Sequence, residues 1–366
     1  MANNFLTTKN IARQILPELI DNLVMPNLCY RDYSSTFATQ GATIRVRKPT
    51  VMKANEFVAG QPVQAQDIVE DSVDVTLDKI ATVDVNIEAI EMATSIEDLN
   101  RQVIRPAAIA LAEKINKDGL AQYAFAGGTL GIAGTTPDGL DDFAEARKYL
   151  NAQRAPLSER RAVWDVEADA KFTQIGNLVK VNEAGTATAL REGEIGRVFG
   201  LDNYMSQGIE KHTTHGAGTV LVDGAANAGA TKLHVDGVTT ALVEGDTFTI
   251  NGDTTVYRVV GAGKLQTNDR DLEITPALAK NAADNAAITL GAAYVPNLVF
   301  HRNAIAFVTR PLVAPAGADS YTTSYNDISL RVVRDYDITT KREKLSVDIL
   351  YGYKTVYPEL SAVYMG

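Results

Sequence analysis

The chain has 366 residues, 45% of them hydrophobic, with a formal net charge of -10, a pI near 5.0 and a mean hydropathy of -0.08. That is enough apolar material for two or three domains with real cores, and it excludes wholesale disorder; the acidic balance argues against tight sequence-independent binding to nucleic acid, which needs a basic surface to displace counterions. Cys29 is the only cysteine, so no intrachain disulfide can form, and no apolar run long enough to span a membrane or to act as a signal sequence is present, which makes a secreted or embedded protein unexpected.

Residues 8 to 24 place Ile11, Ile15, Leu16, Leu19, Ile20, Leu23 and Val24 at helical spacing behind Thr7 and Thr8, with Pro17 inside and Pro26 predicted to end the helix. Glu18 and Asp21 beside Arg13 make its polar face unlike that of a lysine-rich membrane helix. The stripe packs on its own chain or on a neighbour. In 42 to 48, Ile44 and Val46 alternate with Thr43, Arg45 and Arg47; in 73 to 87, Val73, Val75, Leu77, Val83, Val85 and Ile87 alternate with Asp74, Thr76, Asp78, Asp84 and Asn86. These are expected as two strands of one ribbon, basic on the first and acidic on the second, with cross-strand ion pairs. The second strand would reach roughly 50 Å, and Val51, Met52, Phe57 and Val58 lie in the connecting loop. An isolated two-stranded ribbon is marginal in water, so its tip needs a surface on another subunit. The contact residues expected from this are Arg45, Arg47, Lys48, Lys53, Phe57, Val58, Glu70 and Asp74 on the ribbon, and Leu16, Glu18, Leu19 and Asp21 on the arm.

From Thr94 to Phe125 a single helix is predicted, with Thr94 and Glu97 as a capping box. Its buried row is Val103, Ala107, Leu111 and Ile115, flanked by Leu99 and Ala110, with Pro106 bending it and Gly127 and Gly128 stopping it. Such a helix would be roughly 45 Å long. Residues 140 to 152 then read as a helix with Phe143, Ala146 and Leu150 on one face, 161 to 166 as a buried strand, and 168 to 178 as a short helix. Turns at Gly193, Gly196 and Gly200 break up 189 to 207. From 211 to 292 the pattern changes to short strands between Gly, Asp and Asn turns, with Val220, Val222, Leu233, Val235, Phe248, Ile250, Val256, Val259 and Ile274 as the candidate core of a small inserted barrel. After it, Ile328, Leu330 and Val332, and Leu345, Val347, Ile349 and Tyr351, alternate as strands of an antiparallel sheet.

No catalytic, cofactor or metal site is legible. His212 and His215 are three apart with no third ligand nearby in sequence, whereas a closed zinc site needs four. VVGAGKLQ lacks the first glycine and the Ser or Thr of a phosphate loop, Asp246 and Asp253 do not have the spacing of a calcium loop, and no nucleophile elbow is present. An enzyme is not expected, and a glycan-binding surface protein would show exposed aromatic clusters or repeats, which a single tryptophan does not supply.

Taken in order, the arm, the ribbon, the long helix, LREGEIGRVFGLDNYMSQ (190 to 207), the inserted barrel and the return FHRNAIAFVTRPLVAP (300 to 315) resemble the major capsid (coat) proteins of tailed double-stranded DNA bacteriophages. The likeness is to the coat-protein subfamily of short-tailed enterobacterial phages, whose chains carry an insertion in the same place. It implies an α+β tailed-phage/herpesvirus-type capsid fold divided into an N-terminal arm (1–38), an extended β-ribbon loop (39–93), the spine helix of a peripheral domain (94–130), an axial domain (131–210), an inserted β-barrel domain (211–292) and a return through the axial domain to the peripheral sheet (293–366). It further implies a virion protein, assembled in the host cytoplasm as hexamers and pentamers into an icosahedral procapsid that expands on packaging. Its expected partners are itself, a scaffolding protein and a portal; it would enclose double-stranded DNA without sequence-specific binding, and no cofactor or membrane is involved. Some relatives crosslink a ribbon lysine to an asparagine, and Lys53 and Asn55 lie at the tip, but the subfamily with an insertion generally does without crosslinks.

Overall fold

The computed structural model describes residues 8–32, 43–48, 52, 71–88, 103–180, 191–263, 269–315, 317–339 and 342–366. In chain order these form α1 (Thr8–Asn22), α2 (Met25–Leu28), β1 (Thr43–Lys48), β2 (Asp71–Thr76), β3 (Lys79–Glu88), α3 (Arg105–Leu120), β4 (Gly128–Gly131), α4 (Leu140–Ala152), β5 (Arg160–Trp164), α5 (Val166–Phe172), α6 (Gly176–Val179), β6 (Arg197–Val198) and β7 (Leu201–Met205). There follow β8 (Ala217–Val222), β9 (Lys232–Thr240), β10 (Thr247–Ile250), β11 (Tyr257–Ala262), β12 (Arg270–Thr275), β13 (Ile288–Leu290), β14 (Pro296–His301), β15 (Ile305–Arg310), β16 (Asp319–Tyr325), β17 (Ile328–Asp337), β18 (Arg342–Thr355) and β19 (Ser361–Met365). The chain divides into two compact units, one of residues 1–17, 31–107 and 306–356, the other of residues 18–30, 108–305 and 357–366.

In the first unit, β1 and β2 pair antiparallel from Thr43 opposite Thr76 to Lys48 opposite Asp71, and Ile44, Val46 and Val75 are buried. The long second strand expected from the alternation is two strands. It breaks its ladder at Leu77 and Asp78 and continues as β3, which pairs with β18 from Lys79 opposite Tyr351 to Glu88 opposite Arg342. The ribbon ladder is therefore six residues per strand, roughly 20 Å. Gly352 marks the switch, because a Cβ there would meet the Thr76 carbonyl oxygen at 2.0 Å. The remaining sheet runs β15-β18-β17-β16 with β3 also on β18. One face, Ile328, Leu330, Val332, Leu345, Val347, Ile349 and Tyr351, is buried as its alternation requires. On the other, Arg331 donates from Nε to Asp348 Oδ2 at 3.1 Å.

The second unit holds a six-stranded mixed sheet, β4-β19-β14-β5-β7-β6. α4 lays Phe143, Ala146 and Leu150 on a core that includes Trp164, Phe172 and Tyr364; Phe143 and Phe172 are 4.4 Å apart between ring centres. Trp164 is fully buried and donates its indole N–H to Asn203 Oδ1 at 3.0 Å. Asp165 caps α5 by accepting from the N–H groups of Glu167 and Ala168. Gly193, Gly196 and Gly200 all take positive φ, as their turn-rich surroundings predict.

The described part of the spine is helical from 103 to 125. Thr94, Glu97, Leu99 and Arg101 lie outside the described residues, and α3 covers 16 residues, roughly 24 Å. It follows a π-turn at 103–104 and tightens into a 3₁₀ turn, Ala121–Phe125. Pro106 is the second residue of α3, directly after the π-turn. Ala107, Leu111 and Ile115 are buried and Val103 half-buried, but Ala110 is exposed, and Ala108 and Ala112 complete the buried face instead. Gly127 ends the segment: its N–H reaches Pro358 O at 2.7 Å, and a Cβ would come within 2.5 Å of that same oxygen.

The six strands expected between 211 and 292 form a sheet of order β13-β10-β11-β12-β9-β8, nearly closed by a bridge between Leu221 and Ala287. Its interior is Val220, Val222, Leu233, Val235, Phe248, Ile250, Val259, Leu272 and Ile274 among others. Val256 is not part of it. Positions 256 and 259 cannot share a face at period two, and Tyr257 points inward while Val256 packs beside Tyr294, Val363 and Met365.

Candidate assembly surfaces and the barrel junction

Arg45 and Asp74 are register partners on the ribbon, and Arg45 Nε donates to Asp74 Oδ1 at 3.0 Å. The guanidinium hydrogen bond lowers the Asp74 pKa although both groups are open to solvent. Arg47 is exposed opposite Ser72, and Lys48 is half-buried opposite Asp71. Lys53, Asn55, Phe57, Val58 and Glu70 lie outside the described residues.

The arm resolves in favour of packing on its own chain. Ile11, Ile15, Leu16, Leu19 and Leu23 are buried, so Leu16 and Leu19 are not an uncovered stripe, while Glu18 is half-buried and Asp21 exposed. Thr7 is outside the described residues, and the Thr8 hydroxyl donates to Asp319 Oδ1 at 3.2 Å. Pro26 starts α2 rather than ending α1, since proline fits the first turn of a helix, where its N–H is not needed. The junction of the two helices is held by Asn116: its Oδ1 accepts from Val24 and Met25 N–H at 3.0 and 3.1 Å, and its Nδ2 donates to Asn22 O at 3.0 Å. Cys29 is a buried thiol outside any disulfide.

The most elaborate polar arrangement among the described residues sits where the barrel meets the end of the spine, and sequence reading missed it. Arg258, on β11 between the inward Tyr257 and Val259, faces out of the barrel and is completely buried. Its Nε donates to Ala124 O at 3.3 Å, its Nη1 to Gly128 O at 3.1 Å and Thr129 Oγ1 at 3.0 Å, and its Nη2 to Ala126 O. Thr275 adds a hydroxyl bond to Gly127 O at 3.2 Å. The orphan carbonyls at the end of a helical segment, which need donors, thus receive a guanidinium from the inserted sheet. Burial lowers the Arg258 pKa to about 10, leaving it charged at neutral pH, and burial raises Tyr123 and Tyr149 beside it to about 12. A basic residue on the outer face of a barrel strand ordinarily reads as a solvated one, so no sequence signal marks it.

A second link runs alongside. Tyr123 Oη and His212 Nδ1 are 2.7 Å apart, and His212 Nε2 lies 2.9 Å from Asp246 Oδ1. Asp246 is fully buried and also accepts from the N–H groups of His215, Gly216 and Val243. Burial by itself pushes the Asp246 carboxyl up; the His212 hydrogen bond and the backbone donors outweigh it and hold the group below the usual carboxylate range. The incoming and outgoing chains of the insertion pair here, with His212 N–H to Tyr294 O at 2.8 Å and Tyr294 N–H to His212 O at 3.1 Å.

An arm, a ribbon, a spine helix and two sheets, with a barrel inserted in the chain between β7 and β14, define a fold of the tailed-phage capsid type. Known structures agree. The fold is similar to that of a protein of Mycobacterium phage Che8 (TM-score 0.55, 19% identity, covering 93% of this chain and 90% of that one). It is similar also to the capsid of Cyanophage P-SCSP1u (0.54, 12%, 94% and 88%) and to the mature capsid of bacteriophage PhiM1 (0.50, 13%, 94% and 87%). A comparison with curated protein sequences gives no match. The family model described as P22 coat protein, gene protein 5, matches residues 1–263. The chain belongs to the P22 coat protein family: it is a bacteriophage major capsid protein, a structural component of the virion shell and not an enzyme.

Proposed function

We propose that the chain assembles as hexamers and pentamers into an icosahedral procapsid that expands as double-stranded DNA is packaged, with a scaffolding protein and a portal as partners and with residues 211–292 as a distinct inserted domain. The observation that supports this most directly is the ribbon. β1 and β2 form a sheet of two strands whose apolar face, Ile44, Val46 and Val75, is buried on the chain itself, while its polar face, with Arg45, Arg47 and Asp74, is left open to a neighbour. In this reading Arg47, Lys48 and the loop between β1 and β2 meet a neighbouring subunit, and Glu18 and Asp21 lie at an arm contact. The single tryptophan, Trp164, is in the core and offers no platform for a glycan. Deleting residues 49–70 and examining the concentrated protein by electron microscopy tests the proposal. The intact chain is expected to give shells or capsomer rings, and the deletion a folded chain that forms none. Normal particles from the deletion would remove the ribbon from assembly, and an intact chain that stays monomeric would overturn the whole reading.

A further inference from the structure

His212 and His215 lack a third ligand in sequence, and the fold supplies one. Asp246 Oδ1 is 2.9 Å from His212 Nε2 and 3.9 Å from His215 Nδ1, and one ligand atom from each of the three residues falls within 4.8 Å of the others. Tetrahedral zinc, with bonds of about 2.0–2.2 Å to nitrogen and oxygen, holds its ligand atoms roughly 3.2–3.5 Å apart, a spacing these side chains bracket. We propose that His212, His215 and Asp246 bind one zinc-type divalent cation, with water from the adjoining cleft in the fourth position.

Three features beyond the ligand set carry this. Asp246 is aimed in advance, because the N–H groups of Val243, His215 and Gly216 hold its carboxylate whether or not an ion is bound. Tyr123 provides the outer partner that a ligating histidine has: with the cation on Nε2, the His212 proton moves to Nδ1 and is donated to Tyr123 Oη across the existing 2.7 Å contact. A cleft of about 290 Å³, lined by Tyr123, His212, His215, Lys117 and Lys211 among others, gives access, and of these two lysines Lys117 is paired through Nζ with Glu210 Oε1 at 2.5 Å. The His215 side chain is about half exposed, so it can turn onto the ion with little disturbance. The bound cation would clamp the chain entering the barrel to the turn that precedes β10.

The untagged full-length protein, stripped with a chelator, equilibrated with zinc and desalted, is assayed for metal content and, with cobalt substituted, for the visible absorption of a tetrahedral nitrogen and oxygen site. About one zinc per chain is expected. His215→Ala, which alters an exposed side chain and keeps the backbone N–H that Asp246 uses, should bind at least 10-fold more weakly, while His234→Ala, a change of another exposed histidine on the barrel, should bind as the wild type does. Failure of the wild type to retain zinc overturns the proposal. Equal retention by His215→Ala does so as well, because it would place the ion elsewhere.

Discussion

The ribbon and the barrel are both built of antiparallel strands with period-two alternation, but they dispose of their edges in opposite ways. The barrel brings β8 back to β13, so six strands enclose Phe248, Tyr257, Val235 and their neighbours, and its outward arginine is satisfied by four acceptors of the same chain. The ribbon has only β1 and β2, and its one described cross-strand ion pair, between Arg45 and Asp74, stands in solvent. A nearly closed sheet wraps its own core, whereas a two-strand ladder needs a second layer, which the chain itself supplies to Ile44, Val46 and Val75. The same alternating pattern thus gives one region an interior of its own and the other a single covered face with an open polar side.

That contrast can be broken most forcefully at Arg258. Replacing it by Met removes the donors from buried carbonyl groups, and on the order of 4 kcal/mol of stability should be lost, read as a lower denaturant midpoint for the soluble subunit; a change under about 1 kcal/mol would mean that barrel and spine are coupled by packing alone. A smaller effect is expected at Asp246. Asp246→Asn, measured with chelator present, should cost about 1–3 kcal/mol at neutral pH through weakened hydrogen bonds to His212 and the backbone. Because the native carboxyl is held below its ordinary value, the difference from wild type should be complete above about pH 4 and should close as pH falls through the depressed native pKa. A gap that persisted unchanged in strong acid would show that shape, not charge, is what Asp246 provides. The smallest effect belongs to the ribbon: Arg45→Ala should leave the melting temperature of the subunit unmoved, since exposed ion pairs contribute little, and a marked drop would show that the ribbon is held by its own bonds after all.

Much of this was legible from residue patterns, and the failures share a cause. The six barrel strands and the α4 face of Phe143, Ala146 and Leu150 follow from periodicity, because each element buries one side against one core. Periodicity is silent about partners. The run from Val73 to Ile87 keeps its apolar residues on one parity, broken only by Lys79 and Ile80, although it changes neighbours at Leu77 and Asp78, since β1 and β18 both require the same alternation. Val256 was misassigned because parity depends on where β11 begins, and only Tyr257 and Val259 share its inner face. Asp246 reaches His212 across 34 positions of sequence, and Arg258 reaches Ala124 across 134; no local motif encodes either meeting.

The pairing of His212 with Tyr294 has a mechanical consequence. The strands that leave and rejoin the rest of the unit are tied to each other by two backbone hydrogen bonds before the barrel begins. A pull transmitted along the chain from residue 211 to residue 295 therefore loads that tie before it loads the chain of the barrel between them, and any force that reaches the barrel strands while the tie holds enters sideways, through the Arg258 and Thr275 bonds to residues 124–129.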